Sequence, residues 1–162
     1  MDETRLFTCL IRFENQCSEQ LLEAMNGLPE GEQHTFKLFG HILESQLIWL
    51  ARLAGDSEVR EKWWPSVDRA GCRDLQSRTT AAWEGFLEGL GPERLGQSVS
   101  YRSLNGLTAS VVVRDILVQL IVSAAHHRGQ ITLEMRKHGL NAPLPNYLSF
   151  ARNGTEWKPL CG

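Results

Sequence analysis

Histidine, serine and glutamine side chains stand in this sequence at spacings that would gather them on helices. Gln119, Ser123, His127 and Gln130 recur at i, i+4, i+8 and i+11, one face of an α-helix. Val112, Ile116, Leu120, Ile131 and Met135 follow the same period. A polar stripe inside an apolar stripe is costly to bury unless its groups are paired or bind something. Two readings follow. One is a buried hydrogen-bonded network. The other is a site in the core of a helix bundle, built from inward-pointing side chains on facing helices. His41 lies in the middle of a second apolar-periodic run. A lone histidine in a helix is usually a satisfied core or surface residue, and it gains interest only when another ligand type faces it. His126 cannot stand in for His127, because consecutive helical residues point about 100° apart.

The elements that must position these groups are helices. Leu6, Leu10, Phe13, Cys17, Leu21 and Met25 mark a first helix over 3–27, stopped by Gly27-Leu-Pro-Glu-Gly. Phe36, Phe39, Leu43, Leu47, Leu50 and Leu53 mark a second over 33–54, with Gly55 as its C-cap. A connection over 56–71 contains Trp63, Trp64 and Pro65. Paired tryptophans in a loop often pack over a core or line an interface. Leu75, Thr79, Ala82, Trp83, Phe86 and Leu90 mark a third helix over 72–90, ended by Gly91-Pro92. The period then falls to two at Val99 and Tyr101, and Asn105-Gly106 predicts a small hairpin. A fourth helix spans 110–138, with Ser110 as its cap and His138-Gly139 as its end. The tail contains Pro143, Pro145 and Pro159, a short helix near 147–152, and Trp157 as an anchor. These signals predict an all-α fold. It is a single four-helix-bundle domain over 1–162, with the tail 139–162 packing on the bundle.

Composition excludes several function classes. A chain of 162 residues suggests one domain with room for a core. Its net charge of −2, with Lys and Arg scattered, gives no electrostatic case for nucleic acid or an anionic membrane. No apolar run approaches the roughly 20 residues needed to span a bilayer. Cys9, Cys17, Cys72 and Cys161 form no C-x-x-C pair. Cys9 and Cys17 lie two helical turns apart in an apolar pattern and read as reduced core thiols. The N-terminus is polar at once, with no apolar signal segment, so the expected compartment is a reducing cytoplasm.

His127-Arg-Gly-Gln-Ile131, late in the fourth helix, resembles the signature of the DinB family, which also covers YfiT-like proteins. The run Gly40 to Gly55 agrees with it: His41 is followed eight residues later by Trp49-Leu-Ala-Arg52. Tyr101-x-x-x-x-Gly106 resembles the turn before that family's last helix, and Leu140-Asn-Ala-Pro143 and Asn146-Tyr-Leu-Ser-Phe150 resemble its tail. The resemblance covers most of residues 30 to 152. It implies a four-helix bundle, usually dimeric, holding a divalent metal, often nickel or zinc, on three histidines. One comes from the second helix and two from the fourth, at i and i+4. His41 matches the first position and His127 the last, while the middle one falls on Ser123. Gln119, a turn earlier, is another place where relatives can carry histidine. Gln16 and Ser18 stand where a Trp and an Asn are common, and Asn146 where Asp is frequent. Three imidazoles leave an open position for water, and a metal so placed polarises a substrate. A serine hydroxyl is a weak ligand by comparison, so metal held by His41 and His127 alone is expected to be weak or absent. Glu44, Glu134 or water could complete a site, and spacing does not select among them.

The resemblance implies two competing functions. Family members given activities include thiol transferases that use low-molecular-weight thiols, and hydrolase-like or isomerase-like proteins. The chain would then be a metal-dependent transferase or hydrolase with His41 and His127 as ligands. Alternatively it is a non-catalytic small-molecule-binding or interaction protein that keeps the bundle, its pocket lined by Gln119, Ser123, His126 and Gln130. The missing middle histidine favours the second. The resemblance and the Trp63-Trp64 pair together predict a homodimer that buries part of the aromatic loop. Arg128 is expected to pair with a carboxylate on a neighbouring helix. His41 and His127 are expected to face each other inside the bundle.

Overall fold

Apolar residues at helical spacing close four long helices around one another. The structure, a computed structural model, describes residues 2–29, 31–56, 63–103 and 105–151. Helix α1 (Glu3–Ala24) begins where the Asp2 carboxylate accepts from the Arg5 amide at 2.8 Å, and it ends in a 3-10 turn over Met25–Gly27. Helix α2 is Gln33–Leu53; the Glu32 carboxylate caps it, accepting from the Thr35 amide at 2.9 Å. Helix α3 is Arg69–Glu88, and a short α4, Pro92–Leu95, follows. Strands β1 (Ser98–Arg102) and β2 (Thr108–Val112) form an antiparallel hairpin. Helix α5 is Val113–Lys137, and a short α6, Tyr147–Ala151, lies beyond it. Around the bundle α2 packs on α3 and α5, and α1 packs on the same two. Phe13 of α1 meets Tyr147 and Phe150 of α6 at ring-centroid distances of 5.4 and 5.3 Å. The expected anchor Trp157 lies outside the described residues.

Two boundaries differ from the sequence expectation, each for a local reason. Helix α3 starts three residues before 72 because the Asp68 carboxylate accepts from the Gly71 amide at 2.8 Å, a side-chain cap. Helix α5 starts at Val113 rather than at 110, and Ser110 does not cap it. Ser110 instead pairs with Ser100 in the hairpin ladder, and the β-branched run continues as strand to Val112. The hairpin loop is longer than two residues: Ser103 donates its amide to the Leu107 carbonyl at 2.9 Å, and Gly106 takes a φ of 78°.

The core is split along the bundle axis. One apolar cluster contains Leu21, Met25, Phe39, Leu43, Ile131 and Met135. The other contains Phe7, Ile11, Leu53, Trp83, Leu117 and Leu120. Neither cluster includes the buried polar residues Glu14, Gln46 and Arg128. Arg128 Nη1 and Nη2 donate to the two carboxylate oxygens of Glu14 at 2.6 and 3.0 Å, tying α5 to α1 as expected for that arginine. Trp83 Nε1 donates to Gln46 Oε1 at 2.6 Å, tying α3 to α2. Burial raises the free thiols of Cys17, to about 11, and Cys72, to about 12, so both are inert at neutral pH. Cys9 departs from the reduced-thiol expectation. It is disulfide-bonded. Among the described residues no helix is long and apolar enough to cross a membrane.

Gly40 lets the chain before α3 lie directly on α2. A Cβ there would stand 2.5 Å from Val67 Cγ2 and 3.1 Å from Pro65 Cγ. Gly40→Ala gains about 1 kcal/mol of helix propensity, against an overpacking penalty of about 1–3 kcal/mol. The expected outcome is a net loss of about 1 kcal/mol in urea unfolding. Tryptophan emission should also shift to the red as Trp64, which immediately precedes Pro65, moves further into water.

Candidate functional site

The residue after Gly40 on α2 is His41, and α5 brings His127 to it. The two imidazole centroids are 4.8 Å apart with their planes at 89°. His41 is half-buried, as is His127. Nδ1 of His41 donates to the Trp63 carbonyl, which can only accept. The proton therefore sits on Nδ1 of the neutral ring, and Nε2 keeps its lone pair. Nδ1 of His127 donates to Gln130 Oε1 at 2.7 Å, which leaves Nε2 as the nitrogen of that ring not engaged by Gln130. Trp64 covers His41, its ring stacked at a centroid distance of 3.8 Å and tilted only 7°, and its ring centroid lies 5.8 Å from that of His127. Burial pushes the His41 pKa below its ordinary value; the Trp63 carbonyl opposes that shift and His127 adds to it. Neutral imidazole is the form that ligates metals.

Other residues singled out from the sequence lie around this pair in a different way from a buried stripe. Ser123 is half-buried one turn before His127. Gln119, His126 and Gln130 are exposed, and the His126 ring is 5.1 Å from that of His127. The face carrying Gln119 and Gln130 is thus a wet edge of the bundle, and no burial cost is levied on it. The buried polar pairing expected there is made one residue along, by Arg128. Beside His127 an open groove of about 380 Å³ is lined by His34, Leu38, Trp64, Gln130, Leu133 and Glu134. It takes in Gln130 but not Gln119, Ser123 or His126. Glu44 is half-buried on α2.

Glu134 belongs to a second group of ligand-type side chains at the far end of that groove. Ligand atoms of Glu32, Glu134 and His138 all lie within 4.8 Å of one another. Each has other commitments. Glu32 caps α2 and meets His138 Nε2 at 3.4 Å, and Glu134 accepts from Lys137 Nζ at 2.7 Å. Among the described residues no His, Cys, Asp or Glu joins His41 and His127 as a third member of such a group.

Sequence reasoning missed three parts of this arrangement. Trp64 reads in the sequence as packing over a core or lining an interface, and the structure stacks its ring on His41, a contact that the sequence does not single out. Gly40 was passed over, although a glycine inside a helix next to a candidate ligand is a signal of close approach. Arg52, in the Trp-Leu-Ala-Arg run, is buried between aromatic rings, 4.5 Å from the Trp49 centroid, 4.4 Å from Tyr101 and 5.6 Å from Trp63. It joins α2, the hairpin and the tryptophan segment, so its part in the motif is structural.

A four-helix bundle carrying a histidine pair on facing helices is the class of protein that this geometry defines. The chain belongs to the DinB superfamily, which it matches over residues 10–131. Among solved structures it is similar to a DinB-like protein from Bacillus cereus ATCC 10987, with a TM-score of 0.65 and 20% identity. The match covers 85% of this chain and 94% of that one. At that identity the likeness shows the fold. No curated protein matches the chain.

Proposed function

We propose that the protein binds a small ligand at the His41–His127 pair, together with a weakly held divalent cation, nickel or zinc, whose coordination the ligand completes. The observation that supports this reading most is the state of the two rings. Each has Nδ1 turned to an oxygen acceptor, the arrangement in which outlying carbonyl groups orient metal-binding histidines and leave Nε2 to the metal. The donor set fits such a cation but supplies two nitrogens where a closed catalytic set has three. When bound, the cation would supply Lewis acidity. The chain's own groups do the rest. The Trp63 carbonyl and Gln130 set the tautomers, Trp64 shields one side from water, and the groove is of a size that admits a small thiol or a comparable molecule. A non-catalytic binding protein is the second reading, favoured by Ser123 at the position where a third imidazole would stand.

Calorimetric titration of zinc and of nickel into the untagged protein tests the proposal. His127→Ala is expected to weaken binding by at least about tenfold, and His138→Ala to leave it unchanged. Loss of binding in the His138 variant alone would move the metal to the Glu32–Glu134 group and sink this reading. A cytoplasmic location is part of the same proposal, supported by the free thiols of Cys17 and Cys72. The disulfide of Cys9 stands against it.

A further inference from the structure

A groove of about 950 Å³ lies between the start of α2 and the start of α3. Lys37, Arg69 and Arg73 line it, three cations in a chain whose net charge is −2. Arg69 and Arg73 are i and i+4 on α3, so their side chains share one side of that helix. Each guanidinium is held by a neutral oxygen of the segment joining α1 to α2. Arg69 Nη2 donates to the Leu28 carbonyl at 2.9 Å, and Arg73 Nη2 donates to Asn26 Oδ1 at 2.7 Å. The Arg69 guanidinium also lies 5.7 Å from the Phe36 ring centroid. Among the described residues no carboxylate forms an ion pair with Lys37, Arg69 or Arg73. The two carboxylates that line the groove are engaged elsewhere: Glu32 caps α2 and Asp68 caps α3. Trp64 is the aromatic wall of the groove. His41 stacks on its ring, and the residue is still 50% exposed.

We propose that this groove binds a small phosphate monoester with a flat organic group, the phosphate on Arg69, Arg73 and Lys37 and the flat group against Trp64. A guanidinium carries several N–H donors, and the α1–α2 segment takes up only one amino group of each arginine. The rest of exposed Arg73 is left for an anion. Its fork matches two phosphate oxygens, and Lys37 adds a point charge for another. Tethering to neutral oxygens rather than to carboxylates has two effects. The positive charges stay uncompensated, and the guanidiniums are set in place before the ligand arrives, so less side-chain freedom is lost on binding. A phosphate monoester is close to a dianion at neutral pH, so it answers three cations better than a carboxylate does. The N-terminus of α3 is not the anion site, because the Asp68 carboxylate already stands there. This inference rests on α2, α3 and the segment before α2, and it is independent of any metal at the histidine pair.

Calorimetric titration of the full chain with phenyl phosphate, inorganic phosphate and phenol is the experiment, at about pH 7.5, where the monoester is mostly doubly charged. The protein is first stripped of metal on a chelating resin, so that no phosphate is held through a cation at the histidines. Phenyl phosphate is expected to bind with a Kd of about 0.1–1 mM. Inorganic phosphate should bind about fivefold more weakly, since it has no ring to place against Trp64, and phenol should give no measurable heat. Arg73→Gln and Lys37→Gln should each weaken phenyl phosphate by about tenfold. Arg78→Gln makes the same change of charge on α3 outside the groove, where Arg78 meets Asp74 at 3.5 Å, and should leave affinity within about twofold. Circular dichroism confirms that each variant is folded. Lys37 is exposed, so its variant carries the test if the loss of the Asn26 tie unfolds Arg73→Gln. No heat from phenyl phosphate up to about 10 mM, inorganic phosphate or phenol binding as tightly as phenyl phosphate, wild-type affinity in the Lys37 variant, or an equal loss in Arg78→Gln would each overturn the proposal.

Discussion

Replacing Arg128 by alanine is expected to destabilise the protein by about 3–5 kcal/mol, because it leaves the Glu14 carboxylate buried without its partner. The side chains of this pair are only 10% and 8% exposed, so solvent screens little of the loss. Arg128 also faces the buried Cys17 thiol, which cannot compensate, since burial keeps it protonated. Glu14→Leu alone should be costly for the mirrored reason, a buried guanidinium without its acceptor. Glu14→Leu combined with Arg128→Met should recover most of the loss, because well-packed apolar residues often replace a buried ion pair at little cost. Urea unfolding of the four proteins closes the double-mutant cycle. Additive effects in that cycle would show that the pair is not coupled in solution.

Ser123→His is expected to tighten zinc or nickel binding by at least tenfold, about 1.4 kcal/mol. Ser123 and His127 are i and i+4 on α5, so their side chains lie on one face. An imidazole at 123 would join those of His41 and His127 to make three nitrogen donors with one position open. The half-buried setting of Ser123 leaves some room for the larger ring, though part of the gain can be lost to overpacking. The comparison is best made in a His138→Ala background, which removes the Glu32–Glu134–His138 group as a competing site. Equal affinities with and without the new histidine would mean that this face is not a metal site.

The bundle was legible from apolar spacing, because four runs with period 3.6 leave few other ways to bury their faces. Helix starts were less so. Asp68 caps α3, but its place in a tryptophan-bearing connection hid it, and Ser110 has the composition of a cap yet pairs across a hairpin. The meeting of His41 and His127 was expected from the family resemblance, not from periodicity, which cannot say which faces of two helices oppose each other. What surrounds the pair was not legible. Trp64 reaches His41 through a contact 23 residues distant in sequence, made possible by a glycine whose role is to be absent as a side chain. The polar stripe on α5 was misplaced in depth. Gln119 and Gln130 share the helical phase of His127 only approximately, and a few tens of degrees separate a buried position from an exposed one.

The division of the core into two apolar clusters with polar ties beside them has a consequence for alignment. Apolar side chains are tolerant of sliding, because one leucine can follow another into the same hollow. A directed pair is not. Moving α5 along α1 by one turn, about 5.4 Å, would withdraw Arg128 from Glu14 and leave two unmatched charges in the interior. The same shift would carry His127, the preceding residue, past His41. The ion pair thus serves as a dowel: it sets the height at which the two imidazoles meet, without touching anything that they bind.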